Sequence, residues 1–253
     1  MEDIAPHIVR TWQAKRLITI HCMLLLLVLL WSLPITHVWC QQLDYILAIK
    51  LNQSLTLSSS WLYFWSYLNH PHETWLNLVV MFSLNCFAIY QLPAKSQQQR
   101  AWALVIYFWL FFQIGMLISH GIFTDLLAIH RPSPSLLIKP WIIISKATNI
   151  SNLKDYSDNS FPAGHTFVLV YWAAFTALYA PKITRRICYS LAILLCLPRL
   201  FSGAHWVSDI IFTIVLALLW LQWARATPLY GYGIQLIEQS VKKRFPINEN
   251  SVY

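Results

Sequence analysis

The sequence predicts an all-α integral membrane protein, a six-transmembrane-helix bundle forming one membrane domain over residues 1–253, with short helices lying on one membrane surface. Three observations predict it. First, 57% of the 253 residues are hydrophobic and 11% are charged, against about 25% charged in a soluble domain. Second, the apolar residues come in blocks near the ~20 that a helical span needs, where a membrane barrel would show short alternating strands. Third, the Lys and Arg residues flank those blocks and gather mostly on one side. The net charge of +8 is therefore read as topology, and nucleic acid is not expected as a partner.

The blocks follow in order. Residues 1–16 are polar and basic, and residues 17–39 form the first span, with Pro34 near its end. The basic start before an apolar run resembles a signal peptide, but no small-x-small cleavage site follows, so the segment is read as an uncleaved span. Residues 41–72 are less apolar, with Asp44, Lys50 and a serine-rich turn at Ser58 to Ser60. They are read as two short helices lying at the membrane surface. Further spans are expected over 75–92, 101–129, 162–179, 187–200 and 206–226, the fourth and fifth at the short end. A long polar segment, His130 to Phe161, separates spans three and four. The tail from Thr227 reads as polar and ends on basic Lys242, Lys243 and Arg244.

Orientation follows from the basic residues. With the N-terminus in the cytoplasm, 12 of the 18 Lys and Arg residues fall on that side. The other side receives Lys50, Arg131, Lys139, Lys146, Lys154 and Arg199. The segment His130 to Phe161 and the stretch Arg199 to Asp209 then share the non-cytoplasmic face, where they can meet. The five cysteines show no CxxC or Cys/His spacing, so no metal site is expected.

Three polar clusters converge on that face. The first is His130, Arg131, Pro132, Ser133 and Pro134. The second is Ser160, Phe161, Pro162, Ala163, Gly164 and His165, which reads as a helix start with Ser160 as N-cap and Pro162 in the first turn. The third is the stretch holding Arg199, His205 and Asp209. Charge inside an apolar region is costly, which makes these residues functional candidates. On a helix, His205 and Asp209 share one face, so Asp209 is expected to accept a hydrogen bond from one imidazole nitrogen and leave the other with its lone pair outward. Arginine forks suit the oxygens of a phosphate, as do free N–H groups at a helix start. His165, one turn in, can exchange a proton there. Taken singly, Arg131 reads equally as a snorkelling interface residue, His165 as a satisfied helix-start histidine, and His205 with Asp209 as a structural pair. Two Arg, two His and an Asp on one face favour a site.

These clusters resemble the three motifs of the type 2 phosphatidic acid phosphatase superfamily of membrane lipid phosphatases. Arg131-Pro132 matches the end of Lys-x6-Arg-Pro, with Thr124 at the Lys position. Pro162-Ala163-Gly164-His165 matches Pro-Ser-Gly-His, with Ala163 for Ser. Pro198-Arg199, His205 and Asp209 match Ser-Arg-x5-His-x3-Asp, with only the leading Ser replaced. Further segments, including Lys154-Asp155, Gly203 to Trp206 and Thr227-Pro228-Leu229, are similar to the bacterial branch of that superfamily that makes lipid A 1-diphosphate. The resemblance implies periplasmic surface helices and an active site on the periplasmic face of the inner membrane. It implies transfer of the distal phosphate of undecaprenyl diphosphate to the 1-phosphate of lipid A, with no cofactor.

The resemblance also implies roles. His205 is the nucleophile that forms a phosphohistidine, Asp209 orients it, and His165 exchanges protons with the leaving and entering groups. Arg131, Arg199 and the N–H groups around Gly164 hold the phosphate. For the missing lysine, Lys139, Lys146 and Lys154 are the candidates, and Lys154, beside Asp155, is the one chosen. Two arginines can supply the charge stabilisation of phosphoryl transfer without a metal. Water as acceptor, giving an undecaprenyl-diphosphate or phosphatidic acid phosphatase, is the competing enzyme reading. A membrane transporter and a lipid-binding relative without catalysis are the readings from other classes.

Overall fold

The computed structural model describes residues 6–70, 72–226 and 229–244. Thr227 and Pro228 lie outside the described residues, as do the side chains of His7, Arg10, Arg16, His72, His120, Lys242, Lys243 and Arg244. Every regular element among the described residues is helical.

Helix α1 (Pro6–Ser32) and helix α2 (Pro34–Gln53) correct the first expected span. The pair bends by 93° between Ser32 and Pro34, so the apolar block over 17–39 is two helices. The cause is local. Leu33 is extended (φ −76°, ψ 129°), as a residue before proline tends to be, and Pro34 begins the next helix, where its missing N–H costs nothing. The expected pair of surface helices over 41–72 changes with it. Its first half belongs to the 20-residue α2, and α3 (Ser59–Leu68) is the short helix, started by the Ser58 hydroxyl accepting the Trp61 N–H at 3.1 Å. Helix α2 is inside out for a water-soluble helix. Its buried positions are Asp44, Ala48 and Asn52, spaced to share one stripe, while Leu43, Ile46 and Leu47 face outward.

Helices α4 (His72–Tyr90) and α5 (Lys95–His120) overlap the second and third expected blocks, each beginning earlier than expected, and α5 runs into a π-helical turn, Gly121–Leu126. Short α6 (Pro134–Leu137) and α7 (Ile144–Thr148) lie in the long connection to α8 (Gly164–Thr176). Helix α9 (Lys182–Cys196) is separated by one helical residue, Leu197, from α10 (Pro198–Phe201), and α11 (Val207–Ala226) follows. Among the described residues, two helices are long and apolar enough to cross a membrane, Lys95–Leu126 and Val207–Ala226, or three if the bent pair is one span. The 13 residues of α8 reach about 20 Å at 1.5 Å each, short of a hydrocarbon core of about 30 Å.

The core gathers around α8, which packs on α5, α9 and α11. Phe167, Leu169, Tyr171, Trp172 and Phe175 of α8 are buried. Ala173, Ala192, Ala217 and Ala224 are buried with them, small residues that let apolar helices approach closely. The C-terminal tail, expected as polar, is helix α12 (Leu229–Arg244) packed on α5. Tyr230, Ile234 and Ile237 join the core at a helical spacing that outweighs the polar average.

The long connection folds over the ends of α8 and α11. Ser160 N–H donates to the Arg131 carbonyl at 2.7 Å and Ser133 N–H to the Ser157 carbonyl at 3.1 Å. The Asn159 carboxamide accepts from the Arg131 and Phe161 N–H groups and donates to the Ile129 carbonyl. Gly203 closes the other side with φ +77°, and a Cβ there would meet the Trp141 ring at 2.2 Å. The Ser135 N–H, next to the first cluster, donates to the Gly203 carbonyl of the third at 3.2 Å, so backbone hydrogen bonds link all three polar clusters.

Candidate active site

His205 lies in the bend between α10 and α11, two residues before α11 begins. It is therefore not on a helix with Asp209, and the expected pairing between them gives way to another. The His205 Nδ1–H donates to the Ser160 backbone carbonyl at 2.6 Å. Asp209, fully buried, turns one oxygen back to accept the Trp206 N–H at 2.9 Å, capping the start of α11, and gives the other to Arg131. An acidic side chain at a helix start satisfies free N–H groups and the helix dipole at once, which explains why it turns that way.

With Nδ1–H committed to a carbonyl, the lone pair of a neutral imidazole is on Nε2. Burial holds the His205 pKa down to about 4. The Ser160 hydrogen bond works against that shift, and the charges of Arg199, His165 and Lys154 reinforce it. The imidazole is then neutral throughout the physiological range. As pH falls from 6.5 towards 4 the unfolded chain takes up a proton there that the folded chain does not, so acidification through that window lowers stability. A titration of histidine-labelled protein followed by NMR is expected to show His205 still neutral at pH 5.5. A midpoint near 6.5 would mean an imidazole open to water.

Ser160 does not cap α8 as expected. Ala163 holds the N-cap position and the helix begins at Gly164, while Ser160, fully buried, serves through its carbonyl. The Ala163 N–H is taken by the Thr213 hydroxyl at 3.0 Å. His165 follows in the first turn, with its Nε2 3.0 Å from the Leu195 carbonyl, which leaves Nδ1 for proton exchange. Arg199 is buried and donates to the Asn69 side-chain oxygen at 2.6 Å. The Asn69 amide in turn donates to the Lys154 carbonyl at 2.9 Å. The Lys154 side chain itself is exposed, close enough for its charge to reach His205. Arg131 donates to Ser208 at 2.8 Å, to Asp209, and to Asp44 at 2.7 Å.

His205, His165, Arg199 and Lys154 therefore come within electrostatic reach of one another. Arg131 and Asp209 form an ion pair beside them. Sequence reasoning missed Asp44, Asn69 and Ser208. For Asp44 a signal was present, since it is the only acidic residue between Asp3 and Glu73 and lies just past the first apolar block. Asn69 and Ser208 carry no such mark.

Residues 109–231 match the family model described as PAP2 superfamily. That segment contains Arg131, Lys154, Gly164, His165, Arg199, His205 and Asp209 and excludes Asp44 and Asn69. The chain is 25% identical over 218 residues to the lipid A 1-diphosphate synthase of Escherichia coli (strain K12), a match covering 86% of this chain and 90% of that protein. No solved structure gives a significant match. These matches, on apolar helices that carry a histidine-arginine site, define a membrane lipid phosphatase or phosphotransferase. The likeness to the PAP2 superfamily is carried by that segment, a little under half of the chain.

Proposed function

We propose that the enzyme moves the terminal phosphate of a lipid diphosphate, undecaprenyl diphosphate by the sequence resemblance, through a phosphohistidine on His205 to the 1-phosphate of lipid A. The observation that carries this reading is the His205 hydrogen bond to Ser160, which puts the lone pair on Nε2. The Nε2 lone pair attacks the terminal phosphorus, the bond from that phosphorus to the bridging oxygen breaks, and the lipid monophosphate leaves with both electrons. In the second half an oxygen of the acceptor phosphate attacks the same phosphorus and the P–N bond breaks, restoring neutral His205. Arg199, Arg131, Lys154 and the N–H groups around Gly164 hold the transferring oxygens. Catalysis of this transfer is mostly positioning and charge stabilisation, which these groups supply. The lipid monophosphate leaves as an anion, and His165, whose lone pair is on Nδ1, takes a proton from an entering acceptor oxygen that carries one and passes it to the monophosphate that leaves in the next turnover.

The acceptor rests on the name of the Escherichia coli relative. The membrane setting belongs to the same proposal: six spans, the site on the periplasmic face of the bacterial inner membrane. It is supported by the 12 of 18 basic residues on the opposite side and by the meeting of all three polar clusters at one end of the bundle. The test uses purified enzyme and undecaprenyl diphosphate labelled in its terminal phosphate, with and without lipid A. Label is expected in lipid A, with vanadate inhibiting. Label released only as free phosphate would make the enzyme a hydrolase with water as acceptor.

A further inference from the structure

We propose that Asp44 of α2, outside the family-matched segment, is a positioning residue for phosphoryl transfer: with Trp31 it fixes the Arg131 guanidinium against the site from the N-terminal elbow. The inference rests on the reading above, in which Arg131 holds phosphate oxygens.

The guanidinium is held by two aromatic rings and along its edge. Its central carbon lies 4.5 Å from the centroid of the Trp31 ring and 5.1 Å from that of Trp206, within the range of cation–π attraction. Trp31 is itself oriented, since the His37 ring meets it edge-on at 4.7 Å and His37 Nδ1 approaches the Trp31 carbonyl at 2.9 Å. Trp206 is fixed by its indole N–H, which donates to the Pro132 carbonyl at 2.9 Å. Of the five N–H groups of a guanidinium, three are engaged by Asp44, Ser208 and Asp209. Asp44 also accepts from the Ser208 N–H at 2.9 Å and from its hydroxyl, so it binds the first turn of α11 and Arg131 together.

A structural ion pair needs one carboxylate, and Asp209 already provides it. A second buried carboxylate, Asp44 at 3% exposure, leaves the trio of Asp44, Asp209 and Arg131 one negative charge in excess. Burying that charge is costly unless it has a use. Orientation is the use that fits. A long arginine side chain ordered before the substrate arrives does not have to be ordered by it. The geometry also explains the 93° elbow: Trp31 closes the first arm and Asp44 sits on the second, so both reach one guanidinium.

The test is a double-mutant cycle with Asp44→Asn and Arg131→Gln, read as kcat, KM and vanadate affinity. Asparagine keeps the size and the acceptor for the Ser208 N–H. Asp44→Asn is expected to lower kcat about 100-fold with little change in KM, the scale on which a small misplacement acts. In the Arg131→Gln background the further loss is expected to shrink to less than about threefold, because no guanidinium remains to be positioned. An undiminished loss in that background, or wild-type kcat and vanadate affinity in Asp44→Asn, would overturn the proposal. Vanadate affinity serves where turnover is too slow to measure. If Asp44→Asn does not fold, Ser208→Ala decides: a loss of about tenfold, as expected for one hydrogen bond to a charged group, supports it, and wild-type kcat overturns it. Phosphohistidine labelling of the wild type is followed in parallel. An unlabelled wild type sinks the reading of the reaction itself, whereas a labelled wild type with a fully active Asp44→Asn sinks only the role of Asp44.

Discussion

A His205→Ala enzyme is expected to fold and to turn over at least about 10,000-fold more slowly, the scale on which removing a covalent nucleophile acts. It is also expected to carry no acid-labile phosphate. His205 is the imidazole whose Nδ1–H is fixed on a backbone carbonyl, leaving Nε2 to attack. The other histidine of the site has its Nε2 against the Leu195 carbonyl, which leaves only Nδ1 on that ring. The measurement is single-turnover labelling from a lipid diphosphate carrying label in its terminal phosphate. Retained label on the alanine enzyme would move the nucleophile to another residue.

The second large effect concerns Asp209, and it separates two accounts of that residue. If Asp209 oriented His205, its replacement would change the imidazole. The structure instead sets Asp209 between the Trp206 N–H and Arg131. Asp209→Ala is therefore expected to strip a fully buried N–H of its acceptor and leave Arg131 with Asp44. The cost is about 3 kcal/mol, given what an unsatisfied buried group and a broken buried pair cost. For a protein of this size that lowers the thermal midpoint by about 6–12 °C, readable in detergent by circular dichroism. Asp209→Asn keeps an acceptor for Trp206, so it is expected to fold better while losing turnover through Arg131. In both variants the His205 titration midpoint is expected to stay where it is in the wild type. A midpoint that moves by a full unit in Asp209→Asn would restore the direct pairing.

What was legible in the sequence was chemistry at short range. The apolar blocks show as α1, α4, α5, α8, α9 and α11 because hydrophobic run length is a local property. Arg199, His205 and Asp209 stood out because charge is rare in such runs. The tertiary partners were not legible. Nothing in the spacing of His205 and Asp209 says that α11 starts between them, and the i,i+4 argument fails at that one residue boundary. Nothing near Arg131 says that Asp44, 87 residues earlier, will meet it, because the encounter depends on the elbow at Leu33 and Pro34. The helical spacing of Tyr230, Ile234 and Ile237 was present in the tail but was outweighed by its polar average.

The partner of His205 is a peptide carbonyl, and a carbonyl cannot take up the imidazole proton. In the proposed phosphohistidine, with phosphate on Nε2, Nδ1 would keep its hydrogen and the ring its positive charge. A phosphoryl group on a cationic ring has a good leaving group behind it, so the intermediate is suited to rapid onward donation and ill suited to storage. A carboxylate in the same place would draw the proton and make the adduct longer-lived. No side-chain substitution at Ser160 removes the carbonyl, so this property of the intermediate belongs to the backbone path between the second cluster and α8, and is insulated from ordinary point mutation.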